Sequence, residues 1–144
     1  VLLACHTFGR SPVGMTFVYW YRVMSKVLLI EDDPFLSSLL GNRLKKEGFE
    51  VFNVKSGNEA VKSLKSFLPD LVLLDLILPG KSGFDVLEEI KADPQAPKTP
   101  VIIISNLGQD MDMARGKELG AVDYVIKART SIDEMVEKVK DFLR

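Results

Sequence analysis

Polar side chains of complementary types stand where apolar runs stop. They are the carboxylates of Glu31-Asp32-Asp33 and of Asp75, the hydroxyl of Ser105 and the ammonium of Lys127. Two carboxylates held close together repel unless a cation lies between them. Oxygen ligands without histidine or cysteine favour a hard cation such as Mg2+. A carboxylate beside Mg2+ can attack phosphorus and form an aspartyl phosphate. The new phosphoryl oxygens then need donors, which Lys127 and Ser105 offer. Each residue also has a plainer role when taken alone. Asp75 can cap a turn, the Glu31–Asp33 cluster can be a solvated helix start, Ser105 can cap a strand end, and Lys127 can lie along the surface.

The elements that carry these residues decide between the two accounts. Leu71–Asp75 (LVLLD) is apolar without alternation, as expected of a parallel strand buried on both faces. Lys26–Ile30 and Val101–Ile104 read the same way, Glu50–Val54 alternates like a strand near an edge, and Val122–Ile126 is the last strand. Helical stretches separate them. The first starts at Asp33-Pro34, a cap followed by proline, carries Leu36, Leu39, Leu40 and Leu44, and stops at Gly48. Ser56-Gly57-Asn58-Glu59 and Ser131-Ile132-Asp133-Glu134 have capping-box spacing, and Ser82-Gly83-Phe84-Asp85 caps a third helix. Gln109–Leu119 is a polar helix stopped by Gly120, and the final helix carries Ile132, Met135, Val136, Val139, Phe142 and Leu143. Strands alternating with helices imply βαβ units, a parallel sheet and right-handed crossovers. In such a sheet every strand's C-terminal end lies on one edge, which is where open α/β sheets bind ligands. Four of the five strand ends are polar, so side chains far apart in sequence converge there.

Composition narrows the rest. The chain has 144 residues, with 19 basic and 20 acidic, one cysteine and one histidine. This excludes an internal disulfide framework and a Cys/His zinc site, and a reducing, cytoplasmic compartment fits. No basic stripe suggests nucleic acid. Residues 1–23 differ in composition from the remainder of the chain. They hold the only Cys, His and Trp and no acidic residue, leaving 17 basic and 20 acidic residues from Met24 onward, a net charge of −3. Met24 reads as a start. Residues 1–23 are therefore expected to be a non-native or disordered extension without function, and residues 24–144 the folded domain. A membrane-touching or partner-binding arm is the alternative for the extension. Gly9-Arg10-Ser11-Pro12 interrupts its apolar run well short of the ~20 residues of a membrane span.

Residues 24–144 resemble the receiver domain of two-component response regulators. The resemblance rests on Val27–Asp33, Leu73–Gly83 and Glu118–Tyr124, and on Glu31-Asp32, Asp75, Ser105, Tyr124 and Lys127 at family spacing. It implies a doubly wound, flavodoxin-like α/β fold with a five-stranded parallel sheet in the order 2-1-3-4-5 and helices on both faces. It implies phosphoryl transfer to Asp75 from a sensor histidine kinase or a phosphotransfer protein. Mg2+ would be held by Asp32, Asp75 and the backbone carbonyl of Ile77, with Glu31 adding acidity to the pocket. Ser105 and Tyr124 would switch inward and repack the face of the fourth helix, fifth strand and fifth helix toward a downstream protein target. Neither nucleic acid nor membrane is an expected direct partner of this domain.

Two positions depart from the family pattern. Lys127 is followed by Ala128 rather than proline, so a trans peptide bond is expected there. Asn106 stands where Ala or Gly is usual after the switch hydroxyl, which would modulate access to the site. A haloacid-dehalogenase-type phosphatase would need a second Asp two residues after the nucleophile, where Ile77 stands. A flavodoxin-like cofactor binder would need a phosphate loop where Glu31-Asp32-Asp33 would repel phosphate. A degenerate receiver acting only as a protein-interaction module is the remaining alternative. A stand-alone receiver and part of a longer regulator are both consistent with a sequence read as far as Arg144.

Overall fold

The computed structural model describes residues 24–144 and, upstream of them, the backbone of residues 3–7 and 18–22. Those two segments, β1 (Leu3–Thr7) and β2 (Val18–Arg22), pair antiparallel with Cys5 opposite Trp20. No strand is expected in them from the sequence pattern. The expectation of a non-native or disordered extension otherwise falls on residues 1–2, 8–17 and 23, which lie outside the described residues.

From Met24 the chain alternates as expected. In order come β3 (Lys26–Ile30), α1 (Pro34–Lys46), β4 (Glu50–Val54), α2 (Gly57–Phe67), β5 (Leu71–Leu74) and α3 (Gly83–Ala92). Then come β6 (Val101–Ser105), α4 (Asp110–Glu118), β7 (Asp123–Ile126), a short 3-10 turn (Lys127–Arg129) and α5 (Ile132–Leu143). The five later strands form one parallel sheet in the order β4-β3-β5-β6-β7, which is 2-1-3-4-5 counted from β3. Successive side chains along a strand point to opposite faces, so the sheet divides its apolar residues between two cores. Val27, Leu29, Leu71, Leu73, Ile102 and Ile104 pack against Leu40 and Leu44 of α1 and Met135, Val136 and Val139 of α5. Leu28, Ile30, Val72, Leu74 and Ile103 pack against Ala60 and Leu64 of α2 and Val86 and Leu87 of α3.

Most helix ends follow the sequence signals. Asp33 accepts from the N–H groups of Phe35 and Leu36, and Ser82 and Ser131 form complete capping boxes with Asp85 and Glu134. Gly48 and Gly120 stop their helices with φ of 91° and 96°, where glycine avoids the Cβ clash of the left-handed region. Ser56 differs from expectation: its side chain makes no cap hydrogen bond, although its backbone is extended as a cap requires. The buried stripe of α1 also differs. It runs through Ser37, Leu40, Gly41 and Leu44, and Leu39 is left 45% exposed. At 3.6 residues per turn Leu39 is rotated about 100° from Leu40, off the stripe. Phe142 likewise lies off the buried face of α5 and is exposed.

Candidate functional site

Local backbone geometry carries each polar residue to the same edge of the sheet. Glu31 extends β3 by one residue, its N–H donating to Val54 O at 2.9 Å. Its carboxylate is 1% exposed, and Oε1 accepts from the N–H of Asp33 at 3.0 Å. Asp75 follows β5 directly, with its N–H donating to Ile30 O at 2.9 Å. Its Oδ1 accepts from the N–H of Ile77 at 3.2 Å, and the residue is 4% exposed. Behind it the chain passes close to itself. A Cβ on Gly83 would lie 2.3 Å from Asp75 O, so only glycine lets α3 begin against this turn.

Lys127 opens the turn after β7 and reaches back across the edge. Its Nζ donates to Asp75 Oδ2 at 2.7 Å and lies 2.6 Å from Glu31 Oε2. The second contact is an ion pair without aligned hydrogen-bond geometry, so the buried Glu31 Oε2 has no donor of its own among the described residues. Burial pushes the Glu31 carboxyl above its ordinary pKa, only partly opposed by Lys127. Burial works against the Lys127 ammonium too, but its close contacts with the Asp75 and Glu31 carboxylates and their charge outweigh it and hold its pKa above the usual lysine value. All peptide bonds of the described residues, Lys127–Ala128 included, are trans.

Asp32 is exposed at the rim, and one carboxylate oxygen each from Glu31, Asp32 and Asp75 lie within 4.8 Å of one another. Three hard carboxylate oxygen donors gathered this closely, with no histidine or cysteine among them, fit a divalent cation such as Mg2+.

The hydroxyl residues form a second group. Ser105 is fully buried, and its Oγ accepts from the N–H of Leu107 at 3.2 Å. Tyr124 donates to Leu107 O at 2.5 Å. Burial raises the Tyr124 phenol above its ordinary pKa, with a smaller opposing effect from the Ser105 hydroxyl. No hydrogen bond joins Ser105 to Asp75 or Lys127 among the described residues, so the edge holds two polar groups side by side. Asn106 and Ile77 are exposed at its mouth. The ring of Tyr124 also lines a cavity of about 420 Å³ with Met113, Ala114, Lys117, Ala121, Val122 and Asp123, on the face of α4 and β7. Two residues against the site carry no functional motif in the sequence. Leu107 acts only through its backbone, and Asn53 through a single amide.

A parallel α/β domain with a lysine-bridged acidic pocket at its strand ends is the class that fold and site define. The chain belongs to the response regulator receiver domain family, which matches residues 27–140. It is 38% identical over 122 residues to the phosphate regulon transcriptional regulatory protein PhoB of Rhizobium meliloti, covering 85% of this chain and 53% of that protein. It is 40% identical over 121 residues to the transcriptional regulatory protein CpxR of Klebsiella pneumoniae, covering 84% and 50%. The chain thus spans about half the length of these two relatives. Among solved structures, the BeF3-activated N-terminal receiver domain of Klebsiella pneumoniae RstA superposes with a TM-score of 0.76 at 30% identity, covering 83% of this chain and 99% of that one. The receiver domain of a LuxO repressor protein from Vibrio parahaemolyticus gives 0.77 at 31% identity, covering 84% and 91%. No helix of the described residues is long and apolar enough to cross a membrane.

Proposed function

We propose that Asp75 accepts a phosphoryl group, in a Mg2+-dependent transfer from a sensor histidine kinase or a phosphotransfer protein. The observation that carries this reading is the state of the Asp75 carboxylate. It is buried, bonded to Ile77 N–H on one oxygen and to Lys127 on the other, with two more carboxylates within 4.8 Å. A carboxylate fixed this way presents an oxygen in a set direction, which lowers the entropic cost of attack.

Asp32, Asp75 and the backbone carbonyl of Ile77 would hold Mg2+, with Glu31 adding acidity to the pocket. The ion would supply neutralisation of charge on the carboxylates and on the incoming phosphoryl oxygens. An Asp75 oxygen attacks phosphorus, the P–N bond of the donor phosphohistidine breaks, and its electron pair leaves with the imidazole. Lys127 is already in contact with Asp75 and stays as the counter-ion of the new phosphoryl group. Ser105 turns its hydroxyl toward a phosphoryl oxygen and gives up the N–H of Leu107. Tyr124 shares Leu107 with Ser105, so it is freed to move toward the space Ser105 leaves. Its ring lines the α4–β7 cavity, and the change reaches the face of α4, β7 and α5, where a downstream protein binds. The added charge of about −1.5 to −2 biases a packed element with two arrangements.

The reading places the domain in the cytoplasm. It assigns the domain no turnover of external substrate, since Ile77 offers no general acid. With a net charge of −3 from Met24, direct nucleic-acid contact is not proposed for this domain. Two relatives, PhoB and CpxR, are themselves named as transcriptional regulatory proteins. Asn106 at the mouth makes a protein donor more effective than a small acyl phosphate.

The test is incubation with Mg2+ and each donor type, read by intact mass. One phosphoryl adduct is expected on the wild type and none on Asp75→Asn. A wild type unmodified by every donor, or equal modification of the variant, would leave the interaction-module reading in its place.

A further inference from the structure

We propose that Asn53 is a positioning residue for the acidic pocket: its side-chain amide clips the turn after β3 so that Glu31 and Asp32 face Asp75. The proposal rests on the reading of that pocket as a Mg2+ site. Asn53 lies on β4, the edge strand, in register with Leu29 of β3. Asparagine is a poor strand residue, and a β-branched side chain would suit this position better. Its amide explains why it is there. Nδ2 donates to Leu29 O at 3.0 Å and to Glu31 O at 3.3 Å, with Val54 O at the limit of reach at 3.5 Å.

The two main bonds straddle the point where β3 ends. Leu29 O belongs to the strand, and Glu31 O belongs to the turn. One amide therefore ties the turn to the end of the ladder. The Glu31 N–H is held by Val54 O of the same edge strand. Both backbone groups of Glu31 are thus anchored to β4, and the direction in which the Glu31 and Asp32 side chains leave the turn is set from there. Groups behind metal ligands act this way, by fixing ligands they do not replace.

The experiment is calorimetric titration of Mg2+ into the full chain and its variants, well below their melting temperatures. Asn53→Thr suits a strand and removes the amide, and Asn53→Ser is measured beside it should threonine disturb folding. The folded variants are expected to bind Mg2+ about tenfold more weakly, the lower end of the usual loss for such groups. Asn53→Gln keeps the amide on a longer stem and is expected to recover part of the loss. A merely structural role would lower the melting temperature and leave the Mg2+ affinity of the folded protein untouched. Wild-type affinity in the folded Thr and Ser variants overturns the clip while leaving the Mg2+ site standing. Equal losses in Thr, Ser and Gln variants overturn the role of the amide. Absence of binding by the wild type overturns the Mg2+ reading first, and the clip with it.

Discussion

Replacing Lys127 with alanine isolates the electrostatics of the pocket. The ammonium sits 2.7 Å from Asp75 Oδ2 and 2.6 Å from Glu31 Oε2, with side-chain exposures of 15%, 6% and 1% for Lys127, Asp75 and Glu31. Removing one partner of a buried ion pair usually costs about 3–5 kcal/mol. Lys127 is the most exposed of the three, so the lower end applies, about 3 kcal/mol. For a domain of this size that corresponds to a fall in Tm of roughly 10–15 °C. Protonation of Glu31 limits the loss. Its folded-state pKa is already raised by burial, and without Lys127 it rises further. A carboxyl with a raised folded pKa favours the folded state as pH falls through that pKa, so the deficit of Lys127→Ala should shrink on mild acidification. A divalent cation should shrink it too, because it replaces the missing positive charge. At about 100 times Kd a bound ion stabilises either protein by about 2.7 kcal/mol, and the deficit shrinks by as much as the variant gains beyond wild type at the same Mg2+ concentration. The assay is thermal unfolding of both proteins in EDTA and in excess Mg2+. A variant melting within about 2 °C of wild type in EDTA, or gaining no more from Mg2+ than wild type does, would refute the reasoning.

Other parts of the chain give further expected outcomes. Gly41→Ala should stabilise by about 0.5–1 kcal/mol, because the added Cβ meets only Val51 Cγ1 at 4.0 Å; urea unfolding checks it, and destabilisation would mean the α1–β4 packing is tighter than that distance implies. Acidification should lower the Tm of the wild type. Asp93, bonded by Lys65, and Asp85, bonded by Ser82, have folded-state pKa values below the ordinary one, so their stabilisation is present above it and is lost as pH falls. Lys65→Ala should flatten that profile. Deletion of residues 1–23 should leave both thermal stability and phosphorylation unchanged, and a large loss of either would show that the segment belongs to the fold.

The parallel sheet was legible because buried strands leave unbroken apolar runs, and the convergence of Asp75, Glu31, Asp32 and Lys127 followed from topology. Less was legible where a partner decides the outcome. Lys127 reads from sequence as a donor for an added phosphoryl group, but it is already paired with Glu31 and Asp75. Nothing in the order of residues reveals that pairing across the sheet edge. Leu39 and Phe142 fit the helical period loosely, and both fall outside the stripes that α1 and α5 bury. Whether Ser56–Glu59 closes as a capping box depends on a rotamer. Asn53 shows in the sequence only as an unfavourable strand residue, because its role lies in one amide reaching carbonyls of the neighbouring strand and turn.

The most direct test of the central claim is to locate the modified residue. The chain is phosphorylated with Mg2+ and donor, reduced with borohydride to convert an aspartyl phosphate to homoserine, digested with trypsin and sequenced by mass spectrometry. The peptide from Ser66 to Lys81 contains both Asp70, exposed at the opposite end of β5, and Asp75. Homoserine at position 75, with Asp70 and Asp32 unchanged, is the result this account predicts. Homoserine at Asp32 or Asp70, or at no aspartate after successful donor treatment of a control receiver, would contradict it.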